Sequence, residues 1–320
     1  MKKHIKLLLV LLCISSLCGC AIKLPSITSK KHNSQEKTTT ENKKTNTIQH
    51  SNSYIDKSYQ CKFTGEFVDK KTYDKIPIMA IVENSKLSRP QSGISCADIV
   101  YETLAEGGIS RFIALFQKND CKKIGPIRSA RPYFLDIAKE YNLPFAHCGG
   151  SEEALNRIKY EHTMSINEIA YSAFFHRDNT RKAPHNLYTS TEEIRRFAKE
   201  KNYVKKPNVK LNFDKNYWES NSLKKASKIT LNLNKYYTTS YVFSQGKYIK
   251  SMDGLLTKDP LNNQPICINN IIVQITNIHA TNDELHHVKI DLVGKGIGYF
   301  ISNGKYKKIM WSKKVKILKL

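Results

Sequence analysis

The residues best suited to chemistry lie between positions 83 and 186, and they are carboxylates, arginines and histidines. Glu102 and Glu106 stand four apart, ahead of Gly107-Gly108. Two such carboxylates serve as general acid and base when their surroundings separate their pKa values, and equally serve as ion-pair partners for nearby arginines. Arg111 follows, and Gly125-Pro126-Ile127-Arg128-Ser129-Ala130-Arg131-Pro132 brings Arg128 and Arg131 to an expected helix start. Guanidinium forks beside unpaired helix amides hold anions, although Arg128 and Arg131 could instead neutralise Glu102 and Glu106. Glu83 and Asn84 close an apolar run and Arg89 sits in the loop beyond it, where α/β proteins place binding groups. His147-Cys148-Gly149-Gly150-Ser151 reads as strand, turn and helix. Glu152 and Glu153 would repel a phosphate there, so Ser151 reads as an N-cap and His147 as the ligand-facing group. Arg181, His185 and Asn186 belong to a donor-rich loop, 177–188, that could close over a ligand.

These side chains need a frame, and the pattern supplies two kinds. From 60 to 204 strand and helix alternate: 76–82 and 112–116 are continuous apolar runs typical of buried strands. Residues 129–141 space Phe134, Leu135 and Ala138 along a helix face with Pro132 in the first turn, and 143–148 reads as a short strand. Ser190-Thr191-Glu192-Glu193 matches a capping box. The expectation is a mixed α/β domain. From 205 to 320 the composition turns to short strands, at 228–233, 238–244, 271–278, 287–292 and 296–301. They are punctuated by Gln245-Gly246, Asp253-Gly254 and Asn303-Gly304, the last two being strong hairpin signals. A mainly antiparallel β domain is expected there, so the fold class is α+β / α/β in two parts.

Charge and address narrow the function. The chain carries a formal +24, and all nine of its arginines fall between Arg89 and Arg196, whereas lysine is scattered throughout. Arginine offers a rigid fork for carboxylate and phosphate, lysine a mobile point charge. At the amino end Lys2, Lys3 and Lys6 precede an apolar run that is too short to span a bilayer and closes on Leu17-Cys18-Gly19-Cys20. This resembles the lipobox of bacterial lipoproteins, which implies residues 1–19 as signal peptide and Cys20 as the lipidated residue. Residues 20–59 are mostly polar and read as a disordered tether, with a reach of about 30–37 Å. The expected place is the outer face of the cytoplasmic membrane, lipid-anchored through Cys20. An exported protein meets anionic wall polymers and headgroups before nucleic acid, so no nucleic-acid partner is expected. Cys61, Cys96, Cys121, Cys148 and Cys267 are odd in number and lack CxxC spacing. They form neither a disulfide framework nor a zinc site, and buried free thiols are favoured over the one bridge they permit. No metal or cofactor is expected.

The motifs Arg89-Pro90-Gln91-Ser92-Gly93, Ala97-Asp98-Ile99-Val100-Tyr101-Glu102, Glu106-Gly107-Gly108, Arg111-Phe112, Gly125 to Pro132, His147-Cys148-Gly149-Gly150 and Arg181 to Thr191 occur in order. In these the chain resembles the YerB-like lipoproteins of Gram-positive bacteria over about residues 60–320. The resemblance implies an α/β domain followed by a β-rich one and a surface lipid anchor, and it brings no settled activity. Thr257 stands where similar proteins tend to show His, which weakens a role for its loop, and relatives continue beyond Trp311 through further strands.

The leading expectation is a non-enzymatic lipoprotein binding an anionic envelope ligand, peptidoglycan or teichoic acid, through Arg89, Arg111, Arg128 and Arg131. The alternatives are a wall hydrolase or transferase using Glu102 or Glu106 near His147, and a scaffold recruiting a wall-synthesis enzyme or other envelope protein through the β domain. The anchor is directly testable. Cys20→Ala should abolish incorporation of labelled palmitate and release the chain from the membrane fraction, and unchanged labelling would remove the anchor.

Overall fold

The structure is a computed structural model that describes residues 58–209, 211–220, 222–281 and 283–314. Cys20, the leader and the expected tether lie outside the described residues. The rest forms one compact unit.

The α/β part is built on a five-stranded mixed sheet. Its strands are β1 (Ile78–Glu83), β2 (Ile99–Leu104), β3 (Ser110–Phe116), β4 (Phe145–His147) and β5 (Ser165–Asn167), in the order β2-β3-β1-β4-β5. β1 pairs antiparallel with β3 and parallel with β4, which in turn runs parallel to β5. All six residues of β1 and all seven of β3 are buried, as their unbroken apolar runs require when both faces of a sheet are covered. One face packs Met79, Ile81, Ile113 and Leu115 against Phe134, Leu135 and Ala138 of α1 (Pro132–Tyr141). The other packs Ala80, Val82, Phe112 and Ala114 against Ile194 and Phe197, which belong to a helix at Thr191–Glu200.

The helix ends follow local chemistry. Pro132 takes the first helical position of α1, where its missing N–H costs no hydrogen bond. Ser151 Oγ accepts from the Ala154 amide at 3.3 Å and so caps α2 (Glu152–Tyr160). At α3, the Thr191–Glu200 helix, Ser190 Oγ accepts from the Glu193 amide at 3.1 Å, but Glu193 turns outward to Arg196 instead of back to Ser190. The expected capping box is therefore half formed.

The β part holds two larger sheets beside two short two-stranded ribbons. Strands β6 (Lys228–Asn232), β7 (Thr238–Ser244) and β8 (Lys247–Met252) form an antiparallel meander, with the Gln245-Gly246 turn joining β7 to β8. The second sheet centres on a long hairpin of β9 (Gly294–Ser302) and β10 (Lys305–Lys313) that turns at Asn303-Gly304. It is flanked by Lys224–Lys225 on β10 and by Asn270–Gln274 on β9. Both residues of each turn, and of Asp253-Gly254, have positive φ, the left-handed pair that a two-residue hairpin needs. Residues 305–313, which the alternation did not mark as a strand, are paired along both edges for part of their length.

The two parts meet through the segment after β8. Asp259, fully buried, accepts from the Gly93 amide at 2.9 Å, the Ser95 amide at 3.0 Å and the Ser95 hydroxyl at 2.7 Å, all on one oxygen. Gly93 has φ 88°, and a Cβ there would stand 2.7 Å from the Lys123 carbonyl, so only glycine can present this amide. The loop discounted for its Thr257 thus supplies one of the contacts that join the parts. Asp259→Ala strands three donors in a dry contact and should cost about 3 kcal/mol in urea unfolding. A loss under about 0.5 kcal/mol would mean that the joint is held elsewhere.

Candidate functional site

β1, β4 and β5 are parallel and end together, with β1 at the point where the strand order reverses, between β3 and β4. The crevice beyond the carboxyl ends of such strands is the usual ligand position in an open α/β sheet. Glu83 ends β1, Cys148 follows β4 and Glu168 follows β5. A hollow of about 160 Å³, lined by Phe145, Glu161, His162 and Lys205, lies at the opposite, amino end of β4 and contains none of the motif residues.

At the carboxyl ends three segments converge. Glu83 is buried, yet its carboxylate takes His185 Nδ1 at 2.8 Å and the Ser85 hydroxyl at 2.8 Å, with Arg128 Nε at an ion-pair distance of 3.5 Å. The Cys148 thiol donates to Glu168 Oε2 at 3.2 Å, and Arg177 Nη2 lies 3.5 Å from Glu168 Oε1. Burial, then the Glu168 carboxylate, push the Cys148 thiol up to about 11, while Arg177 and Arg128 lie close enough to oppose the rise. Cys148 is thus a protonated donor at neutral pH and no thiolate nucleophile. Arg177 Nη1 also donates to Asn186 Oδ1 at 3.1 Å. Arg181 spreads its fork over the Pro90 carbonyl, the Leu87 carbonyl and the Tyr188 hydroxyl, at 2.7–3.3 Å. The 177–188 loop is thereby pinned onto the loop that carries Arg89.

The remaining candidates are held elsewhere. Glu106 is shared by two guanidinium groups: Arg111 Nη2 at 2.9 Å, and Arg131 through Nε at 2.9 Å and through Nη2. Burial alone would raise its pKa, but Arg111 and Arg131 outweigh burial and bring it down to about 2. Arg111 and Arg131 are themselves buried, so the expected ligand forks are ion-pair partners within the fold. Glu102 pairs with Lys250 of the β part at 2.7 Å, where an arginine was the expected partner. Asn84 lies between loops, donating to Glu102 and Ser110 and accepting from Arg89 and Gln91. Arg89 continues to Asp253 at 2.7 Å.

His147 departs most from its expected role. It has no exposed surface, its Nδ1 lies 2.7 Å from the Gly149 carbonyl, and its Nε2 lies 2.7 Å from Ser165 Oγ. A carbonyl only accepts, so Nδ1 carries the proton and Nε2 accepts from Ser165. Burial brings this imidazole down to about 4, which keeps it neutral. It shapes the Gly149-Gly150 turn and offers no exposed surface to the crevice. No hydrogen bond joins it to Glu102 or Glu106 among the described residues, so the acid-base trio of the hydrolase reading is not assembled.

The sequence reading missed Glu168 and Arg177. Arg177 stood in the donor-rich loop without being singled out, and nothing in the spacing marked Glu168, which meets Cys148 only because β4 and β5 run in register. The five cysteines 61, 96, 121, 148 and 267 are all free thiols.

A sheet with helices on both faces, a polar crevice at its switch point and an appended antiparallel β part define a two-part α/β–β protein. Residues 63–204 match the family described as "Protein of unknown function (DUF3048) N-terminal domain", and residues 227–319 match its C-terminal domain. A Bacillus subtilis (strain 168) protein named "Putative lipoprotein YerB" is 31% identical over 265 residues, covering 80% of this chain and 78% of that one. The crystal structure of YerB protein from Bacillus subtilis superimposes with a TM-score of 0.73 at 29% identity, covering 80% of this chain and 87% of that one. The chain belongs to the DUF3048 family and has its two-domain architecture.

The Glu106 triad makes stability depend on acid. A carboxylate with a depressed folded-state pKa adds stability that is present above about 4.5 and is lost as pH falls through about 2. Unfolding free energy should therefore decline over that window, and Glu106→Gln should flatten part of the decline while lowering stability at neutral pH. A pH profile identical in the two proteins would show that the triad is not linked to folding.

Proposed function

We propose that this chain is a membrane-anchored, extracytoplasmic binding protein whose α/β domain takes an anionic cell-envelope group, a peptidoglycan carboxylate or a teichoic acid phosphate, at the carboxyl ends of β1, β4 and β5. The observation that carries the reading is the pair of Arg128 and Arg177. Their side chains retain 30% and 48% exposure, Arg128 beside Glu83 and Arg177 beside Glu168, and both lie close enough to the Cys148 thiol to oppose the rise in its pKa. Arg111 and Arg131, at 5% and 9%, have no such surface to offer. An incoming anion would take the outward donors of the two forks, with the Glu83–His185 pair and Glu168 fixing the inner edges of the guanidinium planes. Nothing in the cluster supplies an activated nucleophile, so binding is favoured over hydrolysis. The lipid anchor rests on the Cys20 motif and on the lipoprotein name of the Bacillus subtilis relative.

Equilibrium binding of the purified chain to isolated peptidoglycan and, separately, to teichoic acid tests this. Arg128→Ala with Arg177→Ala should weaken binding to one of them at least about tenfold, the scale of losing charge-assisted hydrogen bonds. Arg196→Ala, which removes a comparable charge from the outer face of α3, should leave it unchanged. Binding that survives the double substitution, or falls equally with Arg196→Ala, would overturn the site.

A further inference from the structure

The β part carries a second charged surface of a different kind. The sheet of Lys224–Lys225, β10, β9 and the strand at Asn270–Gln274 contains seven lysines and no Asp or Glu. Among the described residues only Lys313 of these seven has a carboxylate partner, Glu140 at 2.9 Å. Register sorts the side chains by face, because residues directly opposite point the same way. Ile271, opposite Ile301, which is opposite Tyr306, faces the interior, where all three join the β-part core. The other face therefore holds Ile272, Phe300 and Lys307 in one cross-strand row, Lys225 and Lys305 in the next, and Trp311 and Lys313 further along.

That outer face is aromatic as well as basic. Tyr217 and Trp218 stack on Phe300 with ring centroids 5.6 and 4.9 Å away, and Lys307 Nζ stands 5.9 Å over the Tyr217 ring. Trp311 lies across Gly296: a Cβ there would meet the indole at 2.6–3.0 Å, and the ring nitrogen donates to the Ile275 carbonyl at 2.9 Å. Gly294, Gly296 and Gly298 alternate along β9 on this face, so the ring lies flat against the sheet. Ile272, on the edge strand of this sheet, is 67% exposed. Two nine-residue strands, flanked by one of five residues and one of two, make a surface about 30 Å long and about 15 Å across at its broadest, too flat to enclose a small anionic group.

We propose that this face rests on an anionic lipid surface. Beyond Arg196 every basic residue of the sequence is lysine. Mobile ammonium groups suit the diffuse charge of headgroups, where a single localised phosphate would be met by forks. Half-buried Trp and Tyr rings with a protruding aliphatic side chain are the groups that settle at the boundary between headgroups and acyl chains. A soluble anionic polymer shares the charge but gives Ile272 no place to be buried.

The chain has two tryptophans, Trp218 and Trp311, and both lie on this face, so intrinsic fluorescence reads it directly. Residues 20–320 carrying Cys20→Ala, which excludes any contribution from an attached acyl chain, should bind phosphatidylglycerol vesicles. Emission should shift to the blue and be quenched by brominated lipid, with much weaker binding to phosphatidylcholine. Lys225→Glu with Lys307→Glu should weaken binding at least about tenfold, on the scale of one charge contact per lysine, and added salt should act in the same direction. Ile272→Asp should reduce the quenching. Equal binding to both lipids, affinity unchanged in the lysine variant, or a fluorescence response to soluble poly(glycerol phosphate) without one to vesicles would overturn the proposal, the last assigning the face to a polymer. Circular dichroism of each variant, together with its binding to peptidoglycan and teichoic acid, separates this surface from the arginine site.

Discussion

The buried pair of Glu102 and Lys250 is the interaction on which the arrangement of the two parts depends. Lys250 is 5% exposed, lies over the rings of Phe112 and Tyr241, and places its ammonium 2.7 Å from Glu102. Burial works against both charges, pushing the carboxyl up and the ammonium down, and their mutual attraction outweighs it, so the carboxyl stays below its ordinary value and the ammonium above. The second carboxylate oxygen takes the Ser110 and Thr239 hydroxyls at 2.9 Å each and the Asn84 amide at 3.3 Å. A pair this well supplied offsets its desolvation, while removing one partner would leave a buried charge at a cost of about 3–5 kcal/mol. Hydrophobic contact could join two domains in many registers; a carboxylate with donors from β3, β7, β8 and the residue after β1 admits one.

That register reaches the polar crevice through Asn84. Because its amide nitrogen is spent on Glu102 and Ser110, its carbonyl must face Arg89 and Gln91, which fixes the loop after β1. Arg89 then ties that loop to Asp253, and Arg181 ties the 177–188 loop to the same backbone. Glu83, one residue before Asn84, receives His185 from the loop so placed. The crevice is thus coupled to the domain joint by shared side chains, with Asn84 common to both.

How much of this was legible in the sequence follows from the range of each interaction. The buried strands, α1 with Pro132 at its start, the Ser151 cap and the hairpin turns are local, set by periodicity, caps and left-handed turn residues within a few positions. Glu102 was correctly read as half of an ion pair, but its partner lies 148 residues on, and no local pattern announces that Lys250 turns inward while its lysine neighbours do not. His147 was misread for the opposite reason. A polar residue before Gly-Gly looks exposed, yet the parallel pairing of β4 with β5 brings Ser165 over it and closes it off.

The arginine bias also changes meaning. All nine arginines precede Lys199, which suggested ligand recognition, but most of their forks are spent on the fold. Arg131 clamps Glu106, Arg157 clamps Asp136 and Glu161, Arg181 holds two loop carbonyls, and Arg195 holds the carbonyls of Ile76 and Gln117. Rigid multi-donor forks are what a domain needs when its strand ends and motif loops meet through carbonyls and carboxylates. Arg128 and Arg177 differ because their acidic partners lie at 3.5 Å and their side chains keep 30% and 48% exposure, although Arg177 Nη1 is already spent on Asn186. Lysine serves the other part in the reverse manner, tucked in at Lys250 and otherwise spread over sheet faces, where among the described residues of the hairpin sheet only Lys313 has a carboxylate partner. The same physical distinction, fork against point charge, therefore separates a cluster of partly exposed guanidinium groups in one domain from a diffuse basic surface in the other.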